Sequence, residues 1–336
     1  MSTARFRYPG LRPFSTDEEN YFFGRDEEVE AVCRLLDLDN LIVLHGPSGM
    51  GKSSLINAGI LPALSDLRNW EVSYRVVPIR FSNYDPELAR MRRAKQENAE
   101  DVDSDLIKDP IMRFIDACLG NNHSWHEVLP LPKPSLWLAA KQMLVDIAIQ
   151  PMRLVFILDQ FEELFTYPEE RVEEFASQLG EIFHQSTPAS IRKGMERKQI
   201  IDADQEAKDR RLPAPKVAQL LGRLAEPLDA KILISMRSDK LHYLERLKTH
   251  LPEMMVNSYE LRPFNKEHAK KAIVEPAALQ GDHFASTQFT INDELLDEII
   301  HFLEDKVTRR IDPSQLQIVC QHIEQKIIAQ EQKIKK

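Results

Sequence analysis

The sequence has little glycine and little cysteine, no long apolar run and no surplus of positive charge. Its 336 residues hold 11 glycines and 3 cysteines. Cys33, Cys118 and Cys320 are too scattered for a disulfide framework or a zinc-ligand spacing, so they read as reduced, buried thiols. No apolar stretch approaches the roughly 20 residues that span a bilayer. The opening MSTARFRYPG lacks a signal-peptide core, and a cytoplasmic protein is expected. A net charge of -9 gives no general attraction to nucleic acid, so direct nucleic-acid binding is not expected. Internal repeats and heptad seams are absent. What is present is an ordinary globular mixture, 43% apolar and 29% charged, long enough for one large and one small domain.

The scarce glycines are not spread evenly. Gly46, Gly49 and Gly51 fall in one six-residue window, GPSGMG. Residues Gly46, Pro47, Ser48, Gly49, Met50, Gly51, Lys52 and Ser53 match G-x-x-x-x-G-K-[ST] in full. The chemistry needs these residue types. Glycines let the backbone curl so that successive N–H groups face phosphate oxygens. The helix that follows turns its N-terminus and partial positive charge to the same anion. Lys52 is then the residue for the outer phosphates and Ser53 a ligand for Mg²⁺.

The surroundings suit that reading. Leu41–Leu44 is a continuous apolar run, as in a strand buried on both faces. A helix is expected from about Gly51, with Leu55, Ile56 and Ile60 inward and Pro62 limiting or kinking it. Further buried strands are expected at Tyr74–Ile79, Leu154–Leu158, Lys231–Ser235 and Val256–Leu261. Helical patterns alternate with them near 135–149, 169–185, 216–225 and 240–248. Such alternation predicts an α/β fold, a parallel sheet flanked by helices. Asp26 is placed to cap an earlier helix ending near Asp37.

Two segments, 86–109 and 186–215, are dense in mixed charge and read as surface insertions. After Pro263 the strand signal stops. Helices are expected over Asn265–Ala278, after Asn292, and after the pair Asp312-Pro313. The expected organisation is a leader (1–25), an NTPase domain (26–262) and a small helical domain (263–336). Leu154-Val-Phe-Ile-Leu-Asp159 is an apolar strand ending in an acid, the shape of a Walker B element whose aspartate holds Mg²⁺. Either Glu162 or Glu163 beyond it can serve as the base that deprotonates an attacking water.

Together these motifs resemble the ATPase module of STAND proteins, closest to the bacterial novel-STAND type. The resemblance rests on YPGLRPF and FFGRDEE in the leader, GPSGMGKSSLINAGILPAL, LVFILDQFEELF, ILISMRSDKL, LRPFNKEHAKKAIVEPA and DPSQLQIVC. It implies an ASCE/AAA+-like P-loop NTPase that binds ATP/ADP with Mg²⁺. It implies a closed ADP form, self-association in the ATP form, slow hydrolysis as a reset, and a place in bacterial defence or conflict signalling. Gly24 and Arg25 would lie near the adenine and ribose, Pro263 against the base, and Ser54 beside the phosphate loop. Arg237 would sense the γ-phosphate, against the alternative of an ion pair with Asp239 or Glu163. Arg309 and Arg310 read as solvated. STAND proteins usually continue into further domains, so sensor and effector parts are expected outside these residues. Two other classes stay open: an AAA+-like motor or initiator ATPase on nucleic acid, and a scaffold that holds nucleotide without hydrolysing it.

Overall fold

The computed structural model describes residues 5–66, 73–94, 108–120, 131–147, 152–183, 187–198, 228–252, 256–281 and 283–334, with residues 129, 224 and 226. Five strands form one parallel sheet: β1 (Leu41–Gly46), β2 (Ser73–Arg80), β3 (Met152–Asp159), β4 (Ala230–Arg237) and β5 (Ser258–Glu260), in the order β2-β3-β4-β1-β5. The continuous apolar runs form strands because both faces are covered. Leu41, Val43, Leu154, Phe156 and Leu158 point into one core, packed under helices Pro110–Leu119, Leu136–Ile147 and Glu169–Phe183. Ile42, Leu44, Val155 and Ile157 point into the other, under the helix Asp26–Leu38 and the helix after the glycine loop. Each such fully buried side chain contributes about 1.5–3 kcal/mol.

The five expected strands are all present, although the last is short. Several helical expectations shift. The first helix begins at Asp26, so its N-cap is Arg25, not Asp26. The reason is local: Arg25 is drawn inward, and Asp26 falls in the first turn, where a negative charge still suits the helix dipole. Pro62 does not end the helix after Gly51. It follows a π-helical turn, Ile56–Ile60, and the helix resumes over Leu61–Ser65. In that wider turn the Leu61 N–H donates to the Ile56 carbonyl five residues back, one position before the proline that has no N–H to give. Residues 238–247 form a 3-10 helix.

The helix Pro110–Leu119 was not expected. Its cap is Asp109, whose carboxylate accepts from the Ile111 N–H. The charged segments also contribute structure. Residues 86–94 are helical, and residues 189–198 form a helix that buries Ile191 in the core. The helix expected at 216–225 lies outside the described residues.

Three helices follow Phe264: Lys266–Ala278, Asp293–Leu303 and Pro313–Ile334. Asn265 and Asn292 cap the first two through side-chain oxygens that accept from His268 and Leu295 N–H groups. Asp312 accepts from Ser314 and Gln315 at the start of the third. Their shared core includes Ile273, Ile299, Leu316 and Cys320, and also Tyr8 from the leader. The leader is thus bound into the helical body. Glu324, fully buried, accepts from the Arg7 and Tyr8 N–H groups and the Ser286 hydroxyl. Arg7, equally buried, donates to Ser286 and to the carbonyls of Pro276 and Leu279. Its guanidinium lies 4.0 Å from the centre of the Phe284 ring.

Candidate nucleotide site

A cavity of about 490 Å³ opens at the C-terminal edge of the sheet. The loop after β1 forms its floor. Gly49 and Gly51 hold φ of +83° and +85°, backbone that side-chain-bearing residues rarely adopt. A curl of this kind lets successive loop N–H groups face an anion, and the helix starts directly after it at Lys52. The Lys52 amine donates to the carbonyls of Gly46 and Pro47 at 2.8 and 2.9 Å. Burial pulls its pKa below the ordinary lysine value, while Glu162 and Asp159 act in the opposite direction. Ser48 through Ser54 line the cavity. Gly46 and Pro47 do not, and act through the carbonyls that hold Lys52.

Strand order explains how Asp159 reaches this loop. β4 lies between β1 and β3, so the ends of all three converge. The Ser53 hydroxyl donates to one Asp159 oxygen at 2.7 Å, and the Ser235 hydroxyl donates to the other at 2.8 Å. Ser53 and Asp159 offer only hydroxyl and carboxylate oxygens, a donor set that suits Mg²⁺ completed by phosphate and water. Immediately after Asp159, Gln160 adopts the left-handed conformation (φ 55°, ψ 43°), and the chain turns into the 3-10 helix Phe161–Thr166. That turn brings Glu162 and Glu163 to the cavity. Glu162 accepts from the Arg237 N–H at 3.3 Å. Burial, then the neighbouring Glu162 charge, push the Glu163 carboxyl above the usual carboxylate range.

The remaining expected residues separate. Arg237 lines the cavity, but its guanidinium is held by Asp239 through two bonds of 3.0 and 2.9 Å. Arg25 also lines it. It is buried, with its guanidinium 4.0 Å from the Phe264 ring centre, paired with Glu28 at 2.6 Å and donating to the Arg262 carbonyl at 2.9 Å. Its ion pair with Glu28 is a buried one, and Arg25 clamps the leader turn to the start of the helical body. Gly24 and Pro263 are not brought to the cavity. Gly24 has φ +81° and packs against the His268 carbonyl, while Pro263 faces a separate depression with His268 and Arg310. Arg309 pairs with Glu304 at the surface.

Several lining residues escaped the sequence reading. The leader supplies Gly10 to Phe14, and the far helix supplies Pro313, Ser314 and Gln317. Phe14 is tied to the phosphate helix: its N–H donates to the Ser54 hydroxyl at 3.2 Å, and its carbonyl accepts from Asn57 at 3.0 Å. Ser235 was also missed, although the same apolar strand that pointed to Arg237 carries it two positions earlier. Arg80, at the end of β2, was missed as well.

A glycine loop after β1, a Walker B strand separated from it by β4, and a helical body over the strand ends define an ASCE/AAA+-like P-loop NTPase fold. Residues 8–308 match the family described as novel STAND NTPase 1, and the chain belongs to that family. No curated protein matches it. Solved structures similar to it include the Aeropyrum pernix ORC1 protein in complex with DNA, 10% identical with a TM-score of 0.48, covering 92% of this chain and 63% of that one. A Walker-type ATPase of Pyrococcus abyssi is 11% identical with a TM-score of 0.46, covering 96% and 73%. The Aeropyrum pernix ORC2 protein in its ADPNP–ADP complexes is 12% identical with a TM-score of 0.46, covering 92% and 65%. The chain spans less than two thirds of the length of each of the two Aeropyrum pernix proteins.

Proposed function

We propose that this chain is an ATP/ADP-operated signalling switch. The observation that carries the reading is the double wall of the cavity. One wall is the phosphate loop and the Walker B strand. The other is the leader with the start of the Pro313–Ile334 helix, where the Ser314 hydroxyl lies close enough to meet a side chain built at Gly49, at 3.2 Å. A nucleotide filling such a cavity touches both bodies. A ligand shifts a domain equilibrium only through contacts that differ between the two arrangements, and the γ-phosphate is what ATP adds over ADP.

Each residue then has a task. The loop N–H groups and Lys52 hold the phosphates. Ser53 and Asp159 hold Mg²⁺, which when bound offsets phosphate charge. Glu162 is tethered by the Arg237 backbone, and Glu163, whose carboxyl burial pushes above the usual carboxylate range, is our candidate proton acceptor. Hydrolysis resets the switch. Self-association in the ATP state, sensor and effector parts outside these residues, a cytoplasmic setting and a role in bacterial defence complete the proposal. No helix among the described residues is long and apolar enough to cross a membrane.

The test combines ligand titration with sedimentation velocity. Lys52→Ala removes the main phosphate cation and is expected to lose ATP and ADP binding, by about a hundredfold or more at a buried charge-assisted contact. The parent chain is expected to sediment as a larger species with a non-hydrolysable ATP analogue than with ADP. Unchanged ATP affinity in Lys52→Ala overturns nucleotide binding at this loop. Identical sedimentation with both nucleotides overturns the switch.

A further inference from the structure

Among the described residues, five cationic side chains line the cavity: Arg12, Arg25, Lys52, Arg80 and Arg237. Three are already neutralised. Arg12 pairs with Glu18 at 2.6 Å, Arg25 with Glu28 at 2.6 Å, and Arg237 with Asp239 through two bonds. Lys52 and Arg80 differ. Lys52 holds two carbonyls, and the Arg80 side chain holds the neutral amide of Gln160 at 2.8 Å, with no carboxylate partner among the described residues. A cation kept beside acids yet bonded only to neutral oxygens retains its full charge for an anionic ligand.

The position of Arg80 is as specific as its pairing. It is the last residue of β2 and lies opposite Asp159 in the parallel register. Neighbouring strands are about 4.8 Å apart, a gap an arginine side chain spans easily. Asp159 itself touches Ser53 of the phosphate helix. Arg80 also holds Gln160, the left-handed residue that turns the chain from Asp159 toward Glu162 and Glu163.

We propose that Arg80 is the second phosphate-directed cation of the site and contacts the terminal phosphate of the triphosphate form, a task that the family resemblance implies for Arg237. The proposal rests on the nucleotide-binding reading of the loop. Through Gln160, the same contact would couple the presence of that phosphate to the turn that carries the two glutamates.

The experiment is isothermal titration of the full chain with Mg²⁺–ADP and with a Mg²⁺-loaded non-hydrolysable ATP analogue. It uses the parent and the variants Arg80→Ala, Arg80→Lys, Gln160→Ala and Arg237→Ala. The expected result is that Arg80→Ala weakens the ATP analogue about tenfold or more, the effect of a lost charge-assisted bond, and leaves ADP unchanged. Arg80→Lys restores part of the loss. Gln160→Ala, which removes the side chain bonded to Arg80 but keeps the Arg80 charge, does not reproduce it. Equal weakening of both ligands, no weakening, or a full copy of the effect by Gln160→Ala overturns the proposal. A parent chain that binds neither ligand overturns the nucleotide reading instead, which keeps the two failures apart.

Discussion

Replacing Gly24 with alanine tests whether this glycine serves the nucleotide or the joint between the two bodies. Two physical effects act at the position. The first is backbone. Gly24 holds φ +81°, and left-handed conformation costs an L-residue about 1–2 kcal/mol, reduced by a few tenths because alanine has less freedom to lose on folding. The second is steric. A Cβ there would sit closer than 3.0 Å to the His268 carbonyl, a separation real Cβ atoms essentially never show. That oxygen belongs to the backbone of the Lys266–Ala278 helix, so no flexible side chain can yield, and the helix itself must move away. Overpacking of this kind typically costs about 1–3 kcal/mol. The sum is about 2–5 kcal/mol. In a chain of this length each kcal/mol shifts the unfolding midpoint by only a degree or two, so calorimetry should record a fall of about 3–7 °C. Gly51→Ala separates the two effects. Gly51 has nearly the same φ, +85°, but no atom within 4 Å of an added Cβ. Measured without nucleotide, it should show the backbone cost alone, about 1 kcal/mol. If Gly24→Ala proves no more destabilising than Gly51→Ala, the steric argument is wrong and the helix does not pack on Gly24 as described.

Two further outcomes follow from the site. Asp159→Asn keeps the shape of the side chain but removes its charge, so Mg²⁺ should no longer tighten ATP binding; a Mg²⁺ titration that still does so would remove Asp159 from the metal site. Glu163→Gln should change stability with pH. The folded pKa of Glu163 is raised, so between the ordinary glutamate value near 4.3 and the folded value the folded state binds more protons than the unfolded one. Stability from this group is therefore lost as pH rises through that window. The glutamine variant should melt higher than the parent at pH 7 and alike below about pH 4; an unchanged difference across that range would show that the Glu163 charge is not penalised.

Much of the frame could be read along the chain, for reasons that particular residues make plain. Leu154–Leu158 is apolar at every position because both faces of β3 are covered, and that pattern survives in one dimension. The phosphate loop is equally local, since its curl is set by glycines within a few positions. Asp312-Pro313 marks a helix start by the same local chemistry, and Asp109-Pro110 does too, but a charged stretch before it hid the signal. Pairing could not be read in this way. Arg237 follows an apolar strand and so does Arg80, and nothing in either neighbourhood says that one meets Asp239 and the other a neutral amide. Gly24 likewise reads as a site glycine in its motif, because the carbonyl that requires it lies 244 positions away at His268.

The buried knot of Arg7, Ser286 and Glu324 has a consequence for how this module can be moved. On a linear map the first residues look like a detachable tail ahead of the NTPase. In space they are part of the helical body, and the Arg7 and Tyr8 amides are what the Glu324 carboxylate was built to receive. A shortened chain beginning at the first long helix would leave that carboxylate buried and largely unanswered, some three hundred positions along the chain from the cut. The transferable unit is discontinuous: residues 5–14 and the Pro313–Ile334 helix must be inherited, exchanged or grafted together. A transplant that respects only the order of the sequence would separate two halves of one object.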